Sequence, residues 1–379
     1  DFEAVTVPAD RCGEVVVHSC GMRFDGKTPR VEHKPFRLHA ALGQPCGEGR
    51  VFQALMGPLV DAAVAHCSHT TALCYGQTGS GKTHTVGNFA RRMAHYLFDD
   101  LGVRMIALES FEVKGAGRGT GGGATAGGNV AFSLNDDEKS ELPLFEGEDG
   151  VVHVGGSSGI MSSSDGRIDL KQCALASDAG ELLQLFVDAE RRRVSTDTKR
   201  NAASSRSHAF YRFHVAVPLP SGNAVRGTGA CVELVDLAGS EGNKDSLYHD
   251  KSRVEDSVKI NCSLMALNDC IRKQAAGASY VPFRSDKLTQ LLRPCFVARD
   301  DALDGVPTVL FVLCLSPLAS DAQQSIRGLT YAQQLTGMKV RTATEARAKV
   351  RHRPARNLGP WVDGHAGDGA QPAAVPAEE

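Results

Sequence analysis

The chain carries at residues 76–83 the stretch Gly76-Gln77-Thr78-Gly79-Ser80-Gly81-Lys82-Thr83, which decides its fold class. The stretch fits the phosphate-loop pattern, in which glycines allow backbone N–H groups to close around the phosphates of a nucleotide. The lysine of the pattern reaches the β and γ oxygens, and its final hydroxyl takes a place on Mg²⁺. The pattern therefore predicts a binding site for a nucleoside triphosphate.

The segments on either side of this loop have the patterns of a strand and a helix. The apolar run 71–75, just before the loop, is typical of a short buried strand. After the loop, large side chains recur at helical spacing at Phe89, Met93, Tyr96 and Leu97. Strand, loop and helix in this order are the context that the phosphate-loop pattern requires.

Length and composition describe a chain that can fold around an ordinary core. Its 379 residues are 42% hydrophobic and 23% charged, which suits one large domain or two smaller ones. A formal net charge of -2 gives no overall attraction to nucleic acid or to anionic membranes. The 11 cysteines form no C-x-x-C pair, and no apolar run is long enough to cross a membrane. We therefore expect reduced thiols and a cytoplasmic location.

Strands and helices alternate along the chain. Apolar runs predict strands at residues 14–18, 104–113, 211–217, 230–235 and 308–315. Helical spacing predicts helices at residues 51–64, 179–192, 254–271 and 287–292. Around a phosphate loop, this alternation predicts an α/β sandwich whose central sheet is mainly parallel. Residues 115–128 are nearly all Gly, Ala and Thr and are expected to be a flexible surface insertion.

An acidic residue ends one of the predicted strands. The run 231–235 is followed by Asp236-Leu237-Ala238-Gly239-Ser240-Glu241. Beside a phosphate loop, such an aspartate can hold a Mg²⁺-bound water, and a glycine three residues later can donate its N–H to the γ-phosphate. An aspartate that caps a helix gives the same D-x-x-G pattern and is the simpler alternative.

A second polar segment precedes the strand predicted at 211–217 and reads Asn201-Ala202-Ala203-Ser204-Ser205-Arg206-Ser207-His208. A solvated, serine-rich loop would account for its composition. Alternatively, its hydroxyls complete the Mg²⁺ shell and position a water, and Arg206 pairs with Glu241 when the γ-phosphate is present. The second interpretation is favoured because the three segments together match one family.

That family is the kinesins, whose motor domains this chain resembles over about residues 5–340. GQTGSGKTHT at 76–85, NAASSRSH at 201–208 and DLAGSE at 236–241 occur in the order and spacing of the family. Residues 260–267 and 281–292 are also similar to kinesin segments, which form the main microtubule-binding face there. The resemblance implies a P-loop NTPase three-layer sandwich with helices on both faces of the sheet. It places the motor domain at residues 1–340 and leaves a basic, then Pro/Ala/Gly-rich, disordered tail at 341–379.

The resemblance also assigns roles to residues of this chain. Catalytic roles fall to Lys82, Ser205, Arg206, Asp236, Gly239 and Glu241. Nucleotide contacts are expected at Gly76, Gln77, Thr78, Gly79, Ser80, Gly81, Lys82, Thr83, His84, Asn201 and Ser204. The implied cofactors are ATP or ADP with Mg²⁺, which Thr83, Ser205 and, through water, Asp236 would hold. The implied partner is tubulin in microtubules, with no nucleic acid and no membrane.

The subfamily that this chain most resembles is the microtubule-depolymerising kinesin-13 group. There a strand precedes an extended loop with a Lys-Val-Asp tip, which corresponds here to Arg23-Phe24-Asp25. An ordinary exposed turn is the alternative for these three residues. Further tubulin contacts are expected at Lys244, Lys251, Arg253, Arg272, Lys273, Arg284, Lys287 and Arg293, each of which could equally be a solvated charge.

Several features depart from the family pattern. The first strand, with its Arg-x-Arg-Pro segment, has no counterpart here, and Gly242, Asn268 and Gln334 replace basic residues that are usual in kinesins. Pro294 is expected to end the helix that begins near residue 287. Two other functions remain open: a stepping microtubule motor, and an adaptor that binds microtubules without hydrolysis. A GTPase is disfavoured because no strand ends in the guanine-reading Asn-Lys-x-Asp pattern.

Overall fold

The computed structural model describes residues 3–8, 13–22, 27, 29–43, 46–115, 129–146, 152–155, 173–194, 206–219, 225–240, 251–298, 309–336 and 341–342. The strands are β1 Val5–Thr6, β2 Glu14–Met22, β3 Pro29–Arg37, β4 His69–Tyr75, β5 Ile106–Gly115, β6 Asn129–Ser133, β7 Glu141–Leu142, β8 Leu144–Glu146, β9 Val152–Val154, β10 Ala174–Ala176, β11 His208–Pro218, β12 Val225–Asp236, β13 Val297–Ala298, β14 Val309–Leu313 and β15 Arg341–Thr342. The helices are α1 Glu48–Val51, α2 Gly57–Ala65, α3 Lys82–His95, α4 Ala179–Val194, α5 Lys251–Ala275, α6 Lys287–Leu291, α7 Arg293–Phe296 and α8 Ala322–Thr336.

The central sheet is mixed, so the prediction of a mainly parallel sheet is wrong. Its strand order is β14-β4-β12-β11-β5-β6-β7, with β10 also paired to β5. Among the described strand pairs of this sheet, β14–β4 and β4–β12 are parallel and the others are antiparallel. The reason is local: β12 follows β11 after a short connection, and strands joined in this way must run in opposite directions.

Helices cover both faces of this sheet, as the sequence predicted. On one face, α2, α3 and α4 bury Leu59, Phe89 and Phe186 in a single apolar cluster. On the other, α5, α6 and α8 contribute Leu264, Leu288 and Tyr331 to a second cluster. Successive strand residues point to opposite faces, so Cys74 lies in the first cluster and Tyr75 in the second. The phosphate loop begins at Gly76, directly after these two residues.

A smaller sheet of β1, β2 and β3 packs beside α8. Its strands β2 and β3 form a long hairpin whose register runs from Glu14↔Arg37 to Met22↔Pro29. Residues 23–28 join the two strands, and Arg23, Phe24 and Asp25 among them lie outside the described residues. Most of the Gly-rich insertion also lies outside them, between the paired residues Gly115 and Asn129. Within the described part of the chain, no helix has the length and apolar character that a membrane crossing requires.

The predicted elements are confirmed, most of them with longer bounds. The strand predicted at 14–18 extends to Met22, and the helix predicted at 254–271 spans Lys251–Ala275. The helix that begins at Lys287 ends at Leu291, and Pro294 lies in the separate short helix α7. A proline cannot continue a helix, so this break follows from the sequence.

A row of charged side chains crosses the face of the sheet that packs against α5–α7. The strand register places Arg212 opposite Glu109 on one side and Glu233 on the other. Arg212 donates from Nε to Glu233 at 2.6 Å and from Nη1 to Glu109 at 3.4 Å. Glu233 also accepts from Thr71 at 3.1 Å. Burial would raise the pKa of Glu233, but the Arg212 guanidinium outweighs it and holds that pKa well below its ordinary value.

We expect Arg212→Gln to destabilise the domain by about 3–5 kcal/mol, because it leaves two buried carboxylates without the guanidinium that they share. The measurement is the free energy of unfolding in urea at neutral pH. Arg191→Gln is the control, because Arg191 makes an exposed pair with Asp188 and its loss should cost no more than about 1 kcal/mol. Equal stability losses in the two variants would contradict the claim that the buried Arg212 contributes more to the free energy of unfolding than the exposed Arg191.

Candidate nucleotide site

The phosphate loop leaves the end of β4 with a backbone that only glycine adopts readily. Gly76, Gly79 and Gly81 have φ values of 148°, 81° and 98°. A Cβ atom on Gly76 would lie 2.4 Å from the carbonyl oxygen of Cys314, which is too close for any other residue. A Cβ atom on Gly79 or Gly81 would have no atom of the described residues within 4 Å, apart from its chain neighbours, so the loop is free to receive a ligand on that side.

The end of the loop is fixed by hydrogen bonds to its own carbonyl groups. Ser80 Oγ donates to the carbonyl of Gln77 at 2.8 Å, and Thr85 Oγ1 donates to that of Gly81 at 2.9 Å. Lys82 opens α3, is 6% exposed, and its Nζ also donates to Gln77 O at 2.8 Å. The ammonium thus lies across the loop, where the phosphates of a nucleotide would enter.

Asp236 meets the phosphate loop from the neighbouring strand. It is the last residue of β12, pairs in register with Cys74 of β4, and is 1% exposed. Thr83 Oγ1 donates to its Oδ2 at 2.6 Å. The structure therefore brings together the threonine and the aspartate that the sequence singled out separately. Next to them, the N–H of Ser240 donates to the carbonyl of Gly76 at 3.1 Å, which holds the segment after β12 against the loop.

A third residue, Arg193, completes this centre and was missed by the sequence analysis. It is fully buried at the end of α4, and its Nη1 donates to Asp236 Oδ2 at 2.6 Å. Its Nη2 donates to the carbonyl of Ser207 at 3.0 Å. A signal was available, because Leu182, Phe186, Ala189 and Arg193 recur at helical spacing on the buried face of α4.

His208 connects the site to α5. The N–H of Ala238 donates to its Nδ1 at 3.1 Å, so the ring proton resides on Nε2, which lies 2.9 Å from Ser263 Oγ. All three residues are buried. Burial, with the nearby positive charges of Arg193 and Lys82, lowers the pKa of His208 from 6.5 to about 3. The imidazole is therefore neutral, and it links the strand after NAASSRSH, the segment after β12 and the helix α5.

The residues present fit a Mg²⁺–nucleotide group. Asp236 Oδ1 is buried and has no hydrogen-bond partner among the described residues. A carboxylate oxygen beside a threonine hydroxyl is the donor set that Mg²⁺ takes when phosphates and waters supply its other ligands. Thr83 and Asp236 would hold the ion and Lys82 the phosphates. Bound there, Mg²⁺ would neutralise charge on the β and γ phosphate oxygens.

Several predicted site residues lie outside the described part of the chain, namely Asn201, Ser204, Ser205 and Glu241. Arg206 is described and partly exposed, whereas its predicted partner Glu241 lies outside the described residues. Gly239 follows β12 and is buried, next to the loop. His84 is exposed on α3, and its Nε2 lies 3.6 Å from Glu48 of α1.

Four of the basic residues predicted to contact tubulin have carboxylate partners in the chain itself. Arg272 and Lys273 pair with Asp269 at 3.0 and 2.7 Å. Arg284 and Arg293 both approach Glu146 Oε1, at 2.7 and 3.3 Å. Lys287 begins α6 and is partly exposed. Of Lys251 and Arg253 only the backbone is described, and Lys244, Arg23 and Asp25 lie outside the described residues.

Fold and site together define a class of protein. A phosphate loop between a parallel strand and a helix, with an aspartate at the end of the adjacent strand, is the nucleotide site of P-loop NTPases. The chain belongs to the kinesin motor-domain family: the family profile "Kinesin motor domain" matches residues 11–110 and 167–338. The gap in the match contains the Gly-rich insertion.

Curated relatives agree with this assignment. The chain is similar to "Diatom spindle kinesin-1" of Cylindrotheca fusiformis, with 30% identity over 86% of this chain and 46% of the relative. It is 26% identical to "Kinesin-like protein KIN-13B" of Arabidopsis thaliana over 87% of this chain and 44% of that one. It is 28% identical to "Kinesin-like protein KIN-14A" of Oryza sativa subsp. japonica over 85% and 31%. The chain thus spans less than half of these relatives, and similarity to the kinesin-13 relative does not exceed that to the others.

We expect the buried His208 to make the domain less stable in acid. A histidine whose folded pKa is depressed stabilises the fold only above its unfolded pKa of 6.5, and the contribution is lost as pH falls toward about 3. Between pH 7 and pH 5 this amounts to about 2 kcal/mol of unfolding free energy. His208→Asn should remove that part of the pH dependence, whatever its effect on absolute stability.

Urea unfolding at the two pH values measures this difference for each variant. His66→Asn, at an exposed position, is the control and should keep the wild-type pH dependence. The assignment fails if His208→Asn loses as much stability on acidification as the wild-type protein.

Proposed function

We propose that the chain hydrolyses MgATP on microtubules and uses the cycle to remove tubulin from filament ends. The observation that carries the ATPase part is the buried centre of Thr83, Asp236 and Arg193 directly beneath the phosphate loop. A protein that only bound nucleotide would need the loop, but it would have no evident use for a second, charged layer behind it.

The chain's own residues act by position and charge. Lys82 offsets the charge of the phosphates, and Asp236 orients the metal-bound water shell. Arg193 neutralises Asp236 from behind and ties it to Ser207, at the end of the NAASSRSH segment. The N–H groups after β12 are the contacts that loss of the γ-phosphate would release.

His208 offers the route from this centre to the microtubule. Because it bonds both Ala238 and Ser263, a shift of the segment after β12 would pull on α5. Tyr75, one residue before the loop, makes a similar link through side-chain hydrogen bonds to Ser240 and Asn268. Residues 281–292 pack against the same helix, so the predicted tubulin-binding face would move with it.

The depolymerising part of the proposal rests on the hairpin β2–β3. Its paired strands extend to Met22 and Pro29, and the residues that join them contain the predicted tip Arg23-Phe24-Asp25. Such a tip suits contact with a filament end better than contact with a flat lattice. A stepping motor remains the alternative, and the closely similar identities to several kinesin groups are in keeping with it.

The joint replacement Arg23→Ala, Phe24→Ala and Asp25→Ala should abolish shortening of stabilised microtubules but keep ATP hydrolysis without microtubules. The reason is that residues 23–25 join two strands of the small sheet, whereas the phosphate loop follows a strand of the central sheet. Tubulin release and phosphate release are measured in the same samples. Lys82→Ala should lose both activities, and Arg91→Ala, an exposed site on α3, should lose neither. Shortening at the wild-type rate by the triple variant would exclude the tip from the activity.

Glu146→Gln should tighten microtubule binding, because Glu146 occupies two arginines of the proposed tubulin face. Exposed pairs are weak, so the expected gain in affinity is roughly twofold to fivefold at low salt, and it should shrink as salt is added. Cosedimentation with microtubules measures it. Asp188→Asn, which breaks the comparable Arg191 pair on α4, should have no effect. Weaker binding by Glu146→Gln would mean that the carboxylate positions the arginines for tubulin instead of competing with it.

A further inference from the structure

Two cysteines lie side by side beneath the phosphate loop. Cys74 is on β4, just before the loop, and its register partner on β14 is Val312. Cys314 follows two residues later on the same chain segment, where its N–H donates to the carbonyl of Tyr75 at 2.8 Å. Alternation along the strands places Cys74, Val312 and Cys314 on the same face of the sheet, the face covered by α3.

The two thiols contact each other and the helix that begins at the loop. The side chains of Cys74 and Cys314 are hydrogen-bonded to one another. Thr85 Oγ1, in the first turn of α3, lies 3.6 Å from Cys314 Sγ. Cys74 is fully buried, whereas Cys314 is partly exposed, so a small solute can reach the second thiol first.

Cys314 also supports the loop through its backbone. Its carbonyl oxygen lies so close to Gly76 that a Cβ there would be only 2.4 Å away. The backbone of Cys314 therefore lies in close contact with the first residue of the loop. A displacement of Cys314 must move the loop as well. None of these contacts has an evident use in nucleotide hydrolysis.

We propose that Cys74 and Cys314 form an oxidation site at which a peroxide closes a disulfide and thereby weakens nucleotide binding. The Cys314 thiolate attacks one peroxide oxygen, the O–O bond breaks, and the products are a sulfenic acid and water or an alcohol. The Cys74 thiol then attacks the sulfenic sulfur, the S–O bond breaks, and a second water leaves. In sum, two thiols lose two electrons and two protons, and the peroxide is reduced.

The geometry gives the disulfide its effect on the loop. A sulfur–sulfur bond of about 2 Å draws the two side chains closer than any thiol contact. Cys314 then moves away from Thr85 and shifts the carbonyl that abuts Gly76. The hydrogen bond between the thiols favours the reaction, because it holds the pKa of Cys314 below its ordinary value and raises its thiolate fraction.

The test treats the full chain with hydrogen peroxide, blocks the remaining thiols with iodoacetamide and maps the cysteines by mass spectrometry. We expect a Cys74–Cys314 cross-link that dithiothreitol reverses, and an affinity for fluorescent ADP that falls roughly tenfold and recovers on reduction. Cys74→Ala should give no cross-link and only an oxygen adduct on Cys314. Cys67→Ser, at an exposed site just after α2, should behave as wild type.

Two results would overturn the proposal. One is that both thiols remain open to alkylation after a peroxide dose that oxidises the exposed Cys20, Cys67 and Cys262. The other is that the cross-link forms but leaves the affinity for ADP unchanged. The mapping requires no activity on microtubules, so failure of the proposed function would not affect it.

Discussion

The buried carboxylate of Asp236 is the group on which the rest of the site depends. A charge that is 1% exposed must be paired and hydrogen-bonded, or the fold would lose several kcal/mol. Thr83 and Arg193 meet this requirement on the same oxygen, Oδ2, at 2.6 Å each. Three elements that are distant in sequence, α3, α4 and β12, are thereby held at one point beneath the phosphate loop.

The same constraint supports the proposed route from the site to the microtubule. Arg193, which balances Asp236, also places a positive charge near His208 and helps to keep that imidazole neutral. A neutral imidazole can accept from Ala238 and donate to Ser263 at once, whereas a charged one could not accept. The hydrogen-bond path to α5 thus depends on the charges that serve the nucleotide. The buried row of Glu109, Arg212 and Glu233 keeps the strands behind this path in register.

Much of this arrangement was predictable from the sequence, and the remainder has physical reasons. The phosphate loop, the strand before it and Asp236 follow from local patterns, because each depends on residues close in the chain. Strand direction does not, and the antiparallel pairing of β11 with β12 arises from a short connection that apolar runs do not reveal. Arg193, Glu146 and Cys314 matter through partners far away in sequence, which spacing alone cannot identify.

The proposed function is tested most directly by measuring phosphate release and tubulin release together, with wild-type protein, MgATP and stabilised microtubules. We expect microtubules to accelerate phosphate release and the filaments to shorten from their ends. Accelerated phosphate release along filaments of constant length would contradict the depolymerising part and favour a stepping motor. Binding to microtubules without any acceleration would contradict the central claim, that the Asp236 centre couples ATP hydrolysis to tubulin.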